Sequence, residues 1–237
     1  MGKKTGSEKV ATPQKLVVTY VLDETGSMMS LKDATISGFN EYVESLRRQQ
    51  DEVLFSLLKF DSTHQTLVHD NVPVKEVGDL NGETYRPGAA TPLYDAVHNA
   101  ILATERSLSR HTIGHKHCPE CSTPISTSEK PLVLVIVHTD GEENASQHTT
   151  LDGVKELIEQ KRGEGWEFVF MGAGVDHWVG TSMGIPVGST YTYDHTSQDH
   201  ATAFLAAASG TQSYTSSRGA TAGNFFDSNS SDAKVGK

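Results

Sequence analysis

The chain has 237 residues and a formal net charge of −10 at pH 7, and this length suits one sizeable α/β domain with extensions. The acidic balance argues against a nucleic-acid partner held through phosphate contacts, and it suits a protein that attracts cations. Because no apolar run approaches the roughly 20 residues of a membrane span and the first residues lack the apolar centre of a secretion signal, we expect no membrane partner and a cytoplasmic protein.

Hydrophobic periodicity divides the chain into alternating strands and helices. Continuous apolar runs, such as 16–22, predict buried strands, and apolar residues three and four apart, as over 36–46, predict amphipathic helices. The predicted elements are, in chain order, a strand over 16–22, a helix over 31–49, strands over 53–60 and 66–69, a helix over 93–109, a strand over 132–138, a helix over 149–162, a strand over 166–171, a short helix over 176–183, a strand over 190–193 and a helix over 197–208. The alternation predicts a doubly wound α/β fold with a mostly parallel sheet, helices on both faces and one antiparallel edge strand from a hairpin.

The composition divides the chain into one domain with two extensions and an insert. Residues 1–13 are polar and are predicted to form a flexible N-terminal arm, and the domain itself is predicted over 14–208. Residues 110–130 contain both cysteines of the chain and several histidines, and they are predicted to form an insert between a helix and a strand. From residue 209 the chain is rich in Ser, Gly, Ala and Asn, which predicts a flexible tail over 209–237.

Oxygen-bearing side chains follow the first predicted strand. Asp23, Thr25 and Ser27 offer one carboxylate and two hydroxyls at alternate positions, and Gly26 lets the loop fold tightly. Hard divalent cations such as Mg²⁺ prefer oxygen ligands of this kind. Three such side chains on one loop need further ligands from neighbouring loops to complete a metal site.

Two other loops offer such ligands. Thr91 stands with Pro92 at the predicted start of a helix, where threonine is a favourable cap and proline a favourable first residue. Asp140 follows the predicted strand over 132–138, the most apolar run in the chain. Because ligands of open α/β sheets bind at the carboxyl ends of the strands, we expect Asp23, Thr91 and Asp140 to lie at one edge of the sheet.

Together these three loops resemble the metal-ion-dependent adhesion site of the von Willebrand factor A family. The matching motifs are Asp-x-Thr-Gly-Ser at 23–27, Thr-Pro-Leu at 91–93 and Thr-Asp-Gly at 139–141, and the resemblance covers residues 16–207. It implies one Mg²⁺, with Mn²⁺ or Ca²⁺ as alternatives. The side chains that it implies around this cation, some directly and some through water, are Asp23, Thr25, Ser27, Thr91 and Asp140. Thr25 stands where the family often has serine, and either hydroxyl offers one oxygen.

The resemblance also implies a function. We expect a non-enzymatic protein-binding module, in which an Asp or Glu of a protein partner completes the coordination of the cation. The segments 139–144 and 165–176 look most like the intracellular bacterial and phage branch of the family, which implies a cytoplasmic protein. The alternative is a structural subunit of a phage or bacterial assembly, in which the fold is only a scaffold.

The insert contains a second possible metal site. Cys118 and Cys121 have the spacing of a zinc knuckle, and His115 lies three residues before Cys118. Thiolates and imidazoles together suit Zn²⁺ with four ligands. The fourth ligand is His111 or His117, and His111 is favoured because the adjacent His117 and Cys118 would struggle to point at one ion. The alternative is a surface loop with reduced thiols, and the family resemblance says nothing about this insert.

One further motif suggests an enzyme. Residues 180–184, with Ser182 at their centre, fit the G-x-S-x-G pattern of serine hydrolases, in which the serine sits on a sharp turn between a strand and a helix. Residues 176–183 are predicted as a helix, so the strand that this turn requires before Ser182 is missing. We therefore disfavour a serine hydrolase and expect no enzymatic activity.

Overall fold

A computed structural model of the chain describes residues 15–49, 51–113 and 130–226, with only the backbone for residues 111–113. The described residues form six strands and five α-helices. In chain order they are β1 (Lys15–Asp23), α1 (Lys32–Arg47), β2 (Glu52–Phe60), β3 (Gln65–Pro73), α2 (Leu93–Ile113), β4 (Leu132–Thr139), α3 (Leu151–Gly163), β5 (Trp166–Ala173), α4 (Trp178–Ser182), β6 (Thr190–Tyr193) and α5 (Ser197–Ser216). Each predicted strand and helix is present, with differences at the ends.

The six strands form one sheet in the order β3-β2-β1-β4-β5-β6. β3 at one edge is antiparallel to β2, and every other neighbouring pair is parallel. β1 and β4 occupy the centre, and β1 is buried from its second residue to its last, as expected for a continuous apolar run. The predicted doubly wound α/β fold with one antiparallel edge strand is therefore confirmed.

Alternate residues of β1 face two hydrophobic cores, one on each side of the sheet. On one side, Tyr20 belongs to a core that includes Phe39 of α1 and Phe204 of α5. On the other side, Val21 belongs to a core that includes Val97 of α2 and residues of α3 and α4. Helices therefore cover both faces of the sheet, and the carboxyl ends of its central strands are left to the connecting loops.

The C-terminal part of the domain extends further than its composition predicted. α5 continues to Ser216 rather than ending near residue 208, and the hydroxyl of Thr211 lies 3.0 Å from that of Tyr42 in α1. A turn then brings Phe225 back into the core, so close to Gly210 that a Cβ atom there would lie 2.4 Å from the Phe225 ring. The prediction of a flexible tail from residue 209 is wrong as far as residue 226, because its small residues permit close packing.

Other predicted segments lie outside the described residues. These are the arm over 1–13, most of the insert over 110–130 and the part of the tail after residue 226. α2 runs to Ile113, past the predicted helix end at 109. No helix within the described ranges is both long and apolar enough to cross a membrane.

Candidate metal centre

The first and third predicted metal loops follow two strands that are neighbours at the centre of the sheet. β1 ends at Asp23, and β4 ends at Thr139, one residue before Asp140. The hydroxyl of Thr139 donates a hydrogen bond of 2.5 Å to Oδ2 of Asp23. Parallel pairing of β1 with β4 therefore brings the two loops together at the carboxyl edge of the sheet.

The hydroxyls of the first loop lie between the two carboxylates. Ser27 donates a hydrogen bond of 2.5 Å to Oδ1 of Asp140, and Oγ1 of Thr25 lies 3.2 Å from Oγ of Ser27. The backbone N–H of Thr25 donates to Oδ1 of Asp23 at 2.7 Å. The structure thus joins Asp23, Thr25, Ser27 and Asp140 in one hydrogen-bonded cluster.

Thr91 borders the same cluster. A Cβ atom on Gly141 would lie 3.2 Å from Oγ1 of Thr91 and 3.7 Å from Oγ of Ser27, so both hydroxyls face the small space beside Gly141. The third loop fixes this arrangement through Asn144, whose side chain accepts from the backbone N–H of Thr91 at 2.8 Å. In return, the backbone N–H of Asn144 donates to the carbonyl of Thr91 at 3.0 Å. The five side chains of the predicted Mg²⁺ site therefore lie in one region.

The two carboxylates of this region are buried, and neither forms an ion pair in the described part of the chain. Asp23 is 0% and Asp140 is 7% exposed, and neither belongs to any of the ion pairs there. Burial raises the pKa of Asp23 to about 6, although hydrogen bonds from Thr139 and Thr25 oppose the rise. Burial also raises the pKa of Asp140, against the hydrogen bond from Ser27 and the nearby His195. Each carboxylate is therefore costly to ionise where it stands.

One oxygen of the cluster has no protein partner among the described residues. Oδ2 of Asp140 is buried and accepts no hydrogen bond from them, a situation that is unfavourable unless another group satisfies the oxygen. No group of three or more His, Cys, Asp or Glu side chains in those residues could hold a metal. The region instead combines two carboxylates with three hydroxyls, and oxygen donors of this kind fit a hard divalent cation.

Comparison with known proteins identifies the fold. No family model and no curated protein matches the chain. Matching solved structures include a von Willebrand factor type A protein from Catenulispora acidiphila (TM-score 0.50, 12% identity, 81% of this chain and 41% of that chain). They also include the pilus adhesin SpaC from Lactobacillus rhamnosus GG (0.57, 12%, 85% and 30%) and proximal thread matrix protein 1 from the mussel byssus (0.51, 13%, 81% and 44%). The chain has the von Willebrand factor A fold. It spans less than half the length of each of these three chains.

Two acidic residues, Glu143 and Asp95, support the third loop. Glu143 accepts hydrogen bonds from the backbone N–H groups of Tyr94 at 2.9 Å and Ser146 at 2.6 Å. Asp95, in the first turn of α2, accepts from the backbone N–H of Thr149 at 2.7 Å. An acidic residue in a first helical turn is a recognisable sequence signal, but its partners lie some fifty residues away and could not be read from the sequence.

Ser182 does not lie on a sharp turn between a strand and a helix. It is the last residue of the short helix α4, and its hydroxyl donates to the carbonyl of Val179 at 2.9 Å. The G-x-S-x-G pattern requires a strand directly before the serine and a helix directly after it. Ser182 therefore lacks the position that this pattern requires.

The predicted zinc site lies almost wholly outside the described residues. The structure shows His111 only as backbone in the last turn of α2. His115, His117, Cys118 and Cys121 fall in the segment 114–129, which is not described. Zinc binding by the insert therefore stays a prediction.

Proposed function

We propose that the chain is a non-enzymatic module that binds a protein partner through a divalent cation, with Mg²⁺ as the expected ion and Mn²⁺ or Ca²⁺ as alternatives. The observation that supports this proposal is the buried pair Asp23 and Asp140, which forms no ion pair within the described residues and leaves Oδ2 of Asp140 unbonded there. Protein interiors rarely keep carboxylates in this condition unless a ligand or metal completes the site.

The side chains that would hold the cation are Asp23, Thr25, Ser27, Thr91 and Asp140. Only two of these side chains carry charge, so a divalent cation held there would supply positive charge that a partner's carboxylate can neutralise. The protein itself is acidic, and an acidic partner group would otherwise be repelled. The proposed partner is therefore a protein that offers an Asp or Glu to the cation.

Exposed apolar side chains near the same edge support a protein as the partner. Met29 follows the first loop and is 55% exposed, and Trp178 begins α4 shortly after the end of β5 and is 52% exposed. β1 and β5 are the two neighbours of β4, so these side chains follow strands on either side of the loop that contains Asp140. Aromatic and methionine side chains are enriched in protein–protein interfaces.

The proposal is tested by titrating the chain with Mn²⁺ and measuring the bound ion by electron paramagnetic resonance. Asp140→Asn keeps the shape of the side chain but removes its charge, and we expect it to weaken Mn²⁺ binding by about 100-fold or more, because even residues that support metal ligands contribute 10–100-fold. Asp152→Asn, at an exposed position in the first turn of α3, is the matched control and should bind as the wild type does.

Capture of partner proteins with and without a chelator tests the second half of the proposal. We expect capture to require the cation and to be lost with Asp140→Asn. Capture that is unchanged by both treatments would contradict cation dependence and would favour the alternative, in which the fold is a scaffold in a larger assembly.

A further inference from the structure

We infer that the ion pair between Glu24 and Lys59 holds the segment 84–89, which leads to Thr91, against the first metal loop (residues 23–27). We also infer that cation affinity depends on this pair. Neither side chain belongs to the five proposed ligands. The inference rests on the proposed function, because it concerns how the same metal site is held in shape.

The pair bonds both to itself and to the segment that leads to Thr91. Nζ of Lys59 lies 2.8 Å from each carboxylate oxygen of Glu24. The same ammonium donates to the carbonyl of Thr84 at 2.6 Å, and the backbone N–H of Arg86 donates to Oε1 of Glu24 at 2.6 Å. The ammonium therefore holds the backbone at Thr84, and the carboxylate holds it at Arg86.

Backbone contacts continue this attachment as far as Ala89. The N–H of Gly88 donates to the carbonyl of Glu24 at 2.9 Å, and the N–H of Gly26 donates to the carbonyl of Ala89 at 3.0 Å. The hydroxyl of Tyr85 donates to the carbonyl of Asp23 at 2.7 Å. The segment 84–89 therefore lies along the first metal loop and ends two residues before Thr91.

The conformation of Ala89 shows that the segment needs support. Its φ of +60° lies in the left-handed region, which is unfavourable for a residue with a Cβ atom. Unfavourable backbone conformations persist only where the surrounding structure holds them in place. The carbonyl of this residue accepts the hydrogen bond from Gly26 in the first metal loop, so the support comes from the side of the proposed cation.

The burial of the pair distinguishes it from a surface ion pair. The side chains of Lys59 and Glu24 are only 13% and 16% exposed. Exposed pairs contribute little, whereas removal of one partner from a shielded pair leaves an uncompensated charge. We therefore expect loss of either partner to displace the segment 84–89 and with it the hydroxyl of Thr91.

Charge alone would give a different pattern of effects. Loss of the positive Lys59 near a cation would tighten cation binding by electrostatics, and loss of the negative Glu24 would weaken it. Positioning by the pair predicts that both changes weaken binding. The sign of the effect at Lys59 therefore separates the two explanations.

The experiment measures the Mn²⁺ dissociation constants of the 237-residue chain as the wild type, Lys59→Met, Lys59→Arg and Glu24→Gln. We expect Lys59→Met and Glu24→Gln each to weaken binding by about 10-fold, in the range found for groups that support metal ligands. Lys59→Arg keeps the positive charge of the pair and should retain most of the wild-type affinity. Glu83→Gln is the matched charge control, since Glu83 is exposed, and it should stay within about 2-fold of the wild type.

Thermal unfolding in the presence of a chelator shows whether each variant is folded, and Glu24→Gln provides a second test should Lys59→Met unfold. If the wild type binds Mn²⁺ and Lys59→Met binds it equally or more tightly, this inference is overturned and the proposed function stands. Failure of the wild type to bind Mn²⁺ would overturn the proposed function and this inference with it.

Discussion

Two regions of the domain bury ionisable groups in opposite ways. Lys161 in α3 is 2% exposed, and its ammonium donates to Glu105 at 2.6 Å and to Glu164 at 3.0 Å while it lies 5.6 Å from the centre of the Trp166 ring. Burial alone would lower the pKa of Lys161, but its hydrogen bonds to the two glutamates raise it. The protein itself therefore supplies the opposite charge in this region.

The carboxyl edge of the sheet lacks such compensation. Asp23 and Asp140 are buried beside hydroxyls and backbone N–H groups, and no ion pair in the described residues includes them. Burial raises the pKa of both carboxyls. A buried charge that is paired with an opposite charge of the same protein stabilises the fold, whereas a buried charge without such a pair is available to a ligand. Three predictions test this distinction.

The largest expected effect is the loss of stability in Lys161→Met. This change keeps an apolar stem beside Trp166 but removes the hydrogen bonds of the ammonium to Glu105 and Glu164 and its contact with the Trp166 ring. We expect the free energy of unfolding to fall by about 3 kcal/mol, since hydrogen bonds to charged groups contribute more than neutral ones. Chemical denaturation with and without Mn²⁺ measures the effect, which should be the same in both. Lys155→Met, at an exposed position of the same helix, is the control and should change stability by less than about 0.5 kcal/mol. Equal stability of the two variants would contradict the claim that the paired ammonium of Lys161 stabilises the fold.

A stabilising effect is expected for Asp23→Asn in the presence of a chelator. Because the pKa of Asp23 is raised from 3.8 to about 6, the folded state binds the proton more tightly, and stability is lost as pH rises from 3.8 through 6. At pH 7 the wild type therefore contains an unfavourable buried charge that asparagine lacks, and we expect the variant to be more stable by about 2 kcal/mol.

The pH dependence of this difference is its own control. Near pH 4 Asp23 is protonated in the folded wild type, so the advantage of Asp23→Asn should disappear. Saturating Mn²⁺ at pH 7 should reverse the order, because only the wild type gains stability from a bound cation. A variant that is less stable than the wild type at pH 7 with chelator would show that the carboxylate is compensated after all.

The smallest expected effect is the loss of cation affinity in mild acid. A cation must displace the proton of Asp23, whose pKa is about 6, so affinity should fall by roughly 10-fold from pH 7 to pH 5. Isothermal titration with Mn²⁺ at several pH values measures this change. Burial lowers the pKa of His200 from 6.5 to about 4, so the unfolded state takes up this proton first and stability falls as pH drops from 6.5 through 4. Circular dichroism at each pH therefore checks that the chain is still folded. An affinity that is constant over this range would indicate that Asp23 does not bind the cation.

Much of the fold could be read from the sequence because the central strands are unusually apolar. The continuous runs over 16–22 and 132–138 predicted buried strands, and an acidic residue of the proposed site follows each run within two residues. Once parallel pairing is assumed, Asp23 and Asp140 must meet at one edge of the sheet. Local patterns and one rule of topology therefore pointed to this edge of the sheet, and the resemblance to the von Willebrand factor A family implied the five side chains of the site.

The supporting contacts could not be read in the same way. Glu24 lies within the first metal motif, yet its partner Lys59 is on another strand and its other partner is a backbone N–H of Arg86. Nothing in spacing or periodicity connects these positions, because a carboxylate can accept from any donor that the folded chain brings near. Composition was misleading at Gly210, where a small residue marks close contact with Phe225 rather than a flexible tail.

The packing of Phe225 determines where this domain can be cut or joined to another protein. A truncation after residue 208, where composition alone would place the boundary, removes the last turns of α5 together with Tyr214 and Phe225, both of which are fully buried. The core between α1 and the sheet would then be open to water, and an exposed apolar patch of this kind promotes aggregation. Shortened or fused versions of the protein therefore need to retain the chain through Phe226.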